Sequence, residues 1–308
     1  MLERTALSMI AAMVTSALFG CGDSAAAGGS TGDAGGDSAG GDTASGAAGS
    51  GGDAGGEAGG AGGGVPVPTE HFSFFVTSLK AMQELSGSEA GFGGDLRFGE
   101  TGPGAGLRGA DKICATIADM SMPGASGKQW RAYLSATDDG NGNQVNAIDR
   151  VGEGPWYDRL GRTFALTKDD LRTERPTNID PAIKDDFPNE DGVPNHQPDP
   201  TQEEVDNHDT LTGTNEDGEL YANDATCQDW TSAATNVGLP RVGHSWPRYG
   251  GGPGPGGGDG SMAHWMSSLD ESGCAPGVNL IEMGPPGDDG TVGSGGGYGG
   301  IYCFALLP

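Results

Sequence analysis

From Gly22 to Gly64 the chain consists almost wholly of Gly, Ala, Ser, Thr and Asp, with no Lys, Arg, aromatic or large aliphatic residue. Such a stretch has nothing to bury, so no hydrophobic gain offsets the entropy lost on ordering it. Any packed core must come from the residues beyond Gly64. Apolar periodicity starts at Val65 and runs to Leu307, which predicts one domain over 65–308 behind a disordered tether over 21–64. As a flexible coil, a tether of roughly 43 residues has a mean end-to-end distance of about 35 Å. The whole chain is only 34% hydrophobic and 6% aromatic, enough for one modest core and not for a second large domain. Within the tether, Gly36-Asp37-Ser38-Ala39-Gly40 matches a nucleophile elbow in letters only, because no strand or helix is expected on either side of it.

Ahead of the tether, Ala6 to Gly20 form an apolar run preceded by Arg4. The run is too short for a spanning helix and has the length of a signal-peptide core. It ends Leu18-Phe19-Gly20-Cys21, which resembles the lipobox of bacterial lipoproteins. That resemblance implies a signal peptide over 1–20, Cys21 as the first mature residue, and acylation there that anchors the chain to a membrane of the cell envelope. The outer membrane or the cell surface is the expected location. Lys and Arg total 16 against 43 Asp and Glu, a formal charge of -27, which argues against nucleic acid as a partner and favours cations or neutral ligands such as sugars.

Strand-like runs are His71 to Leu79, Lys128 to Ser135, Ala225 to Ala233, Asn279 to Met283 and Gly300 to Leu307. Helical spacing is clearest at Ala110, Ile113, Cys114, Ile117 and Ala118. Between Asp169 and Asn223 the chain is acidic and Pro-rich with few apolar residues, which predicts a long loop rather than packed elements. Beyond Cys21 the cysteines are Cys114, Cys227, Cys274 and Cys303. An even number in an exported chain points to two disulfides, and spacing alone leaves all three connectivities open. The absence of any C-x-x-C pair disfavours zinc ligation by these cysteines.

Gly106-Leu107-Arg108-Gly109-Ala110-Asp111-Lys112-Ile113-Cys114 and Trp130-Arg131-Ala132-Tyr133-Leu134-Ser135 resemble the first helix and following strand of endostatin-like domains with the C-type lectin fold. Thr226-Cys227-Gln228-Asp229-Trp230-Thr231-Ser232, His264-Trp265 to Cys274, and Tyr302-Cys303-Phe304-Ala305 are similar to the later cysteine-bearing segments of a bacterial lipoprotein branch of that superfamily. Phe75-Val76-Thr77-Ser78, Gly154-Pro155-Trp156, His208-Asp209-Thr210-Leu211-Thr212-Gly213 and Val242-Gly243-His244 keep to the same order. The similarity spans about residues 72 to 306. It implies an α+β, C-type lectin-like (endostatin-like) fold with long irregular loops, and nested disulfides Cys114 to Cys303 and Cys227 to Cys274.

Gln197-Pro198-Asp199 has the form of the triplet through which many C-type lectins hold calcium and sugar hydroxyls together, which makes Gln197 and Asp199 candidate calcium ligands. The Trp-Asn-Asp motif that completes the family's site is absent. Asp138 to Asn143 and Asn215 to Glu219 are oxygen-rich; the first resembles part of an EF-hand loop but lacks its Gly and bidentate Glu positions and reads as a solvated turn. Gly104-Ala105-Gly106-Leu107-Arg108-Gly109 fits a dinucleotide fingerprint, yet no strand precedes it, so it reads as a turn. Asn207, His208, Asp209, His244, Trp246 and Trp265 are candidate ligand contacts. Trp246 and Trp265 are candidate sugar platforms, whereas Trp130 and Trp230 belong to strand patterns and the core.

The expected function is noncatalytic binding of a glycan or an extracellular protein, through the loop near Asp180 to Asp224 and the segment Gly243 to Trp265. The alternatives are a secreted hydrolase using His208 or His244 with acidic partners, and a structural envelope spacer. His208 and Asp209 argue against the first alternative, since adjacent residues of an extended segment point apart.

Overall fold

Nine consecutive residues near the C-terminus, Gly297–Ala305, form a strand that is buried at every position, which requires cover on both of its faces. The protein is seen in a computed structural model that describes residues 71–196, 207–246, 264–280 and 287–307. The elements are β1 (Phe74–Val76), α1 (Leu79–Ser86), α2 (Ala105–Ser121), β2 (Trp130–Ala132), α3 (Ala147–Arg150), β3 (Trp156–Tyr157), β4 (Thr163–Ala165), β5 (Asp209–Leu211), α4 (Cys227–Trp230), β6 (Arg241–His244), β7 (Leu269–Asp270) and the long strand, β8. The result is an α+β domain with a mixed six-stranded sheet ordered β1-β8-β5-β6-β7, with β2 also on β8, beside a small β3–β4 ladder. β8 runs antiparallel to β1 and β2 and parallel to β5.

Period-2 alternation along β8 divides the interior in two. Ile301, Cys303 and Ala305 join Phe75 of β1, Trp130 of β2 and the apolar face of α2 in one cluster. Tyr302 and Phe304 point the other way, onto Phe74, Trp156, Phe164 and Trp265. The expected helix is α2, with Ala110, Ile113, Cys114, Ile117 and Ala118 all buried. Trp130 and Trp230 are core residues, as the sequence suggested.

Two disulfides close the domain. Cys114–Cys303 ties α2 to β8 across 189 residues, and Cys227–Cys274 closes a loop of 47. This is the connectivity the endostatin-like resemblance implied.

Three sequence expectations are corrected. Ala225 to Ala233 is not a strand: α4 within it is a left-handed turn, with φ of 48°, 56°, 55° and 64° at Cys227, Gln228, Asp229 and Trp230. Non-glycine residues rarely adopt that conformation, and tertiary contacts hold it here. The Asp229 carboxylate accepts hydrogen bonds from the Thr137 amide and hydroxyl, both at 2.6 Å, and the Trp230 indole donates to the Ser135 carbonyl at 2.7 Å. In Asn279 to Met283, the described residues Asn279 and Leu280 form no strand, and the rest lie outside the described residues. The loop from Asp169 to Asn223 is largely irregular, as expected, but it is also packed. Leu171, Ile179, Ile183 and Phe187 fill the second cluster and cover the sheet.

The start of α1 depends on that loop. Ser78 caps the helix by accepting from the Ala81 amide at 3.1 Å, while its own amide and hydroxyl donate to the Glu190 carboxylate at 3.0 and 2.5 Å. Burial pushes the Glu190 carboxyl above its ordinary value, and the Ser78 hydrogen bonds only partly oppose this. The folded chain therefore holds this proton to higher pH than the unfolded chain does. Its contribution to stability falls as pH rises from the ordinary glutamate value through the raised one. Glu190→Gln is expected to flatten that part of the profile, measured as urea midpoints between about pH 4 and 7. An identical slope in the variant would remove Glu190 as the cause.

Candidate functional site

β5 and β6 are neighbouring antiparallel strands whose register sets Asp209 opposite His244. Directly opposed residues on one face of such a pair bring their side chains together, and His244 Nε2 lies 3.0 Å from Asp209 Oδ1. His208 joins them, contrary to the expectation that it points away, with Nε2 3.3 Å from the same Oδ1. The reason is local: the β5–β8 register shifts between Asp209 and Thr210, so strict alternation fails where β5 begins. The two imidazole rings stand 4.2 Å apart at 80°. All three side chains are fully buried.

The surroundings fix this trio. His208 uses its carbonyl to accept from the Ser245 amide at 2.8 Å, and His244 Nδ1 is 3.3 Å from the Ser268 hydroxyl. Arg175 donates to the His244 carbonyl at 2.6 Å. Glu271, also buried, accepts from Ser294 at 2.5 Å and from the Gly295 amide at 2.7 Å. A Cβ at Gly295 would stand 2.5 Å from Asp209 Oδ2 and 3.3 Å from Glu271 Oε2, so a larger residue there would push the two carboxylates out of place.

Burial alone would raise the Asp209 carboxyl, but the interaction with His208 first, then with His244 and Glu271, overturns it and holds the group below its ordinary value. Glu271 goes the other way: burial, reinforced by the Asp209 charge, pushes it well above. Burial, with His208 adding to it, lowers His244 to about 4 despite the pull of Asp209. At neutral pH the site thus pairs a carboxylate with a neutral His244 imidazole. Among the described residues, His208, Asp209 and His244 are the one group of three His, Cys, Asp or Glu whose donor atoms all fall within 4.8 Å of one another.

Toward the outside, Trp246 is half-buried and stacks on His196, with ring centroids 3.9 Å apart and 15° between planes, and it reaches to 6.3 Å from the His208 ring. His196 is held by Asp186, which accepts from its amide at 3.0 Å. Asn207 is buried and donates to the Asn195 carbonyl. Five of the residues singled out in the sequence, Asn207, His208, Asp209, His244 and Trp246, therefore gather in one region.

Trp265 does not join them. It is fully buried in the second cluster, its indole donating to the Leu171 carbonyl at 3.0 Å, so it presents no platform. Gln197 and Asp199, the candidate calcium ligands, lie outside the described residues. Asp138 and Asp139 spend their carboxylates on amides of their own turn, and Asn215 does the same with the amides of Asp217 and Glu219. The Gly-rich start of α2 is a turn with Gly104 at φ 71°, where Arg108 donates to the carbonyls of Pro103 and Thr101. Sequence reasoning missed Glu271, Ser268 and Gly295 as site residues, because they reach the site only through pairings distant in sequence. In comparisons with known proteins, no family model and no curated protein matches this chain.

Proposed function

We propose that this chain is a lipid-anchored protein of the bacterial cell envelope whose tethered domain, of C-type lectin-like, endostatin-like fold, binds an extracellular glycan or protein without catalysis. The observation that carries the reading is the convergence of two sequence-distant segments, ending in Asn207 to Asp209 and in His244 to Trp246, beneath a half-exposed Trp246–His196 stack. A flat aromatic pair with polar groups beside it offers an apolar surface and hydrogen-bonding edges together, as sugar rings and peptide side chains both require.

Support for the fold comes from the nested disulfides and from the pairing of the first and last strands, Phe74 opposite Phe304. Noncatalytic binding is favoured over hydrolysis because both imidazoles and Asp209 are fully buried, so a substrate has no direct approach to the groups that would act as acid or base. The fold hosts many functions, so the site and not the fold bears the weight.

The test is a glycan and polysaccharide array, probed with the oxidised chain in calcium and again in chelator. Trp246→Ala is expected to weaken any true ligand by about tenfold or more, the usual consequence of removing an aromatic anchor. Calcium-dependent binding lost in Gln197→Ala would bring the acidic loop into the site. Silence on the array directs the search to protein ligands by pull-down, and silence there as well sinks the binding reading in favour of a spacer.

A further inference from the structure

Two imidazole nitrogens and one carboxylate oxygen converge at the β5–β6 junction, with Nε2 of His208 and Nε2 of His244 at 3.3 and 3.0 Å from Asp209 Oδ1. With metal–donor bonds near 2.0–2.1 Å, the edge of a zinc tetrahedron is about 3.3 Å. The two separations from Asp209 Oδ1 thus match the spacing of donors around one ion, and all three donor atoms lie within 4.8 Å of one another. The His244–Asp209 contact has the distance of an ion pair without the alignment of a hydrogen bond. Neither Oδ of Asp209 accepts an aligned hydrogen bond among the described residues. A buried carboxylate left so requires compensation by positive charge.

We propose that His208, Asp209 and His244 bind one divalent transition-metal ion of the zinc class. Two imidazoles and a carboxylate suit such a borderline cation, whereas calcium and magnesium require an all-oxygen shell. Three protein donors are a regular set for zinc, the fourth position being taken by a non-protein ligand. Ser268 stands at His244 Nδ1, where a hydroxyl orients a ligating imidazole. Glu271 lies outside the donor triangle, against Asp209. The ion would join the start of β5 to the end of β6 and fix the two segments leading to Asn207 and Trp246. This inference stands apart from the ligand reading, since either can fail without the other.

The experiment is metal analysis of the full chain, purified oxidised with any affinity tag removed. It combines bound zinc per chain after equilibration and desalting, the visible spectrum of the Co2+ form, and the thermal midpoint with and without chelator. The expected result is one ion per chain, an intense tetrahedral cobalt band and a midpoint that drops on chelation. Asp209→Asn and His244→Ala lose the ion. Where those variants do not fold, Ser268→Ala keeps all three donors and is expected to weaken zinc binding about tenfold. A folded wild-type chain that takes up neither Zn2+ nor Co2+ overturns the proposal. So does an ion held undiminished by both His244→Ala and Ser268→Ala, or a site that prefers Ca2+ to Zn2+.

Discussion

The double variant Cys114→Ala/Cys303→Ala loses about 5 kcal/mol of unfolding stability, and Cys227→Ala/Cys274→Ala loses about 4, by the loop-closure entropy each bridge removes from the unfolded chain. The order stems from loop lengths of 189 and 47 residues. The larger loss is felt where the fold is most dependent, because Cys303 lies on the strand to which β1, β2 and β5 all pair. All four sulfurs are buried, so each alanine pair also leaves apolar space that the surroundings fill only in part. A domain of ordinary stability has about 5–15 kcal/mol in hand, so the first variant is expected to lose about a third or more of it. Urea midpoints of the oxidised chain and both variants, fitted with a common slope, check this. A larger loss from the 47-residue bridge, or losses below a kilocalorie from both, would show that the denatured chain is already ordered enough to make the bridges redundant.

The parts of this fold legible in the sequence are those where a local period persists long enough to be seen. α2 repeats apolar residues at 3.6-residue spacing over 17 residues, and β8 was foreshadowed by the run from Gly300 to Leu307. The strands β3 to β7 are two to four residues long, less than the span over which alternation can be told from chance. Their positions are set by pairing partners distant in the chain. α4 misled for a related reason: Ala225, Cys227 and Trp230 have the composition of a buried strand, but contacts from Thr137 and Ser135 impose a left-handed turn instead. The acidic loop hid its packing because Leu171, Ile179, Ile183 and Phe187 are few among many Asp, Asn and Pro residues, and they reach the second cluster from irregular backbone rather than from one helix or strand. The site was legible residue by residue and not as an assembly. His208, Asp209 and His244 each stood out, yet their convergence needs the β5–β6 register and the shift at Asp209, neither of which leaves a mark in the sequence.

Gly243→Ala is expected to destabilise the domain by about 3 kcal/mol or more and to abolish zinc uptake along with it. Gly243 is paired with Thr210 in the centre of the β5–β6 ladder. A Cβ built there would stand 1.8 Å from the Trp265 carbonyl oxygen and 2.3 Å from its carbon. These are backbone atoms and cannot rotate away as a side chain does, so β6 and the segment 264–266 must part. That movement breaks the hydrogen bonds from the His244 amide to the His264 carbonyl at 3.1 Å and from the Ser268 amide to the Val242 carbonyl at 2.7 Å. It also displaces His244, the next residue, from Asp209, and Trp265 from the aromatic cluster around Phe164 and Tyr302. Stability and site therefore fail together at this position, whereas Ser268→Ala weakens the ion and leaves the core intact. Denaturation midpoints and zinc content of the two variants, read side by side, separate these effects. A Gly243→Ala chain with wild-type stability would mean that β6 does not approach Trp265 as closely as the fold requires, and the register that builds the site would fall with it.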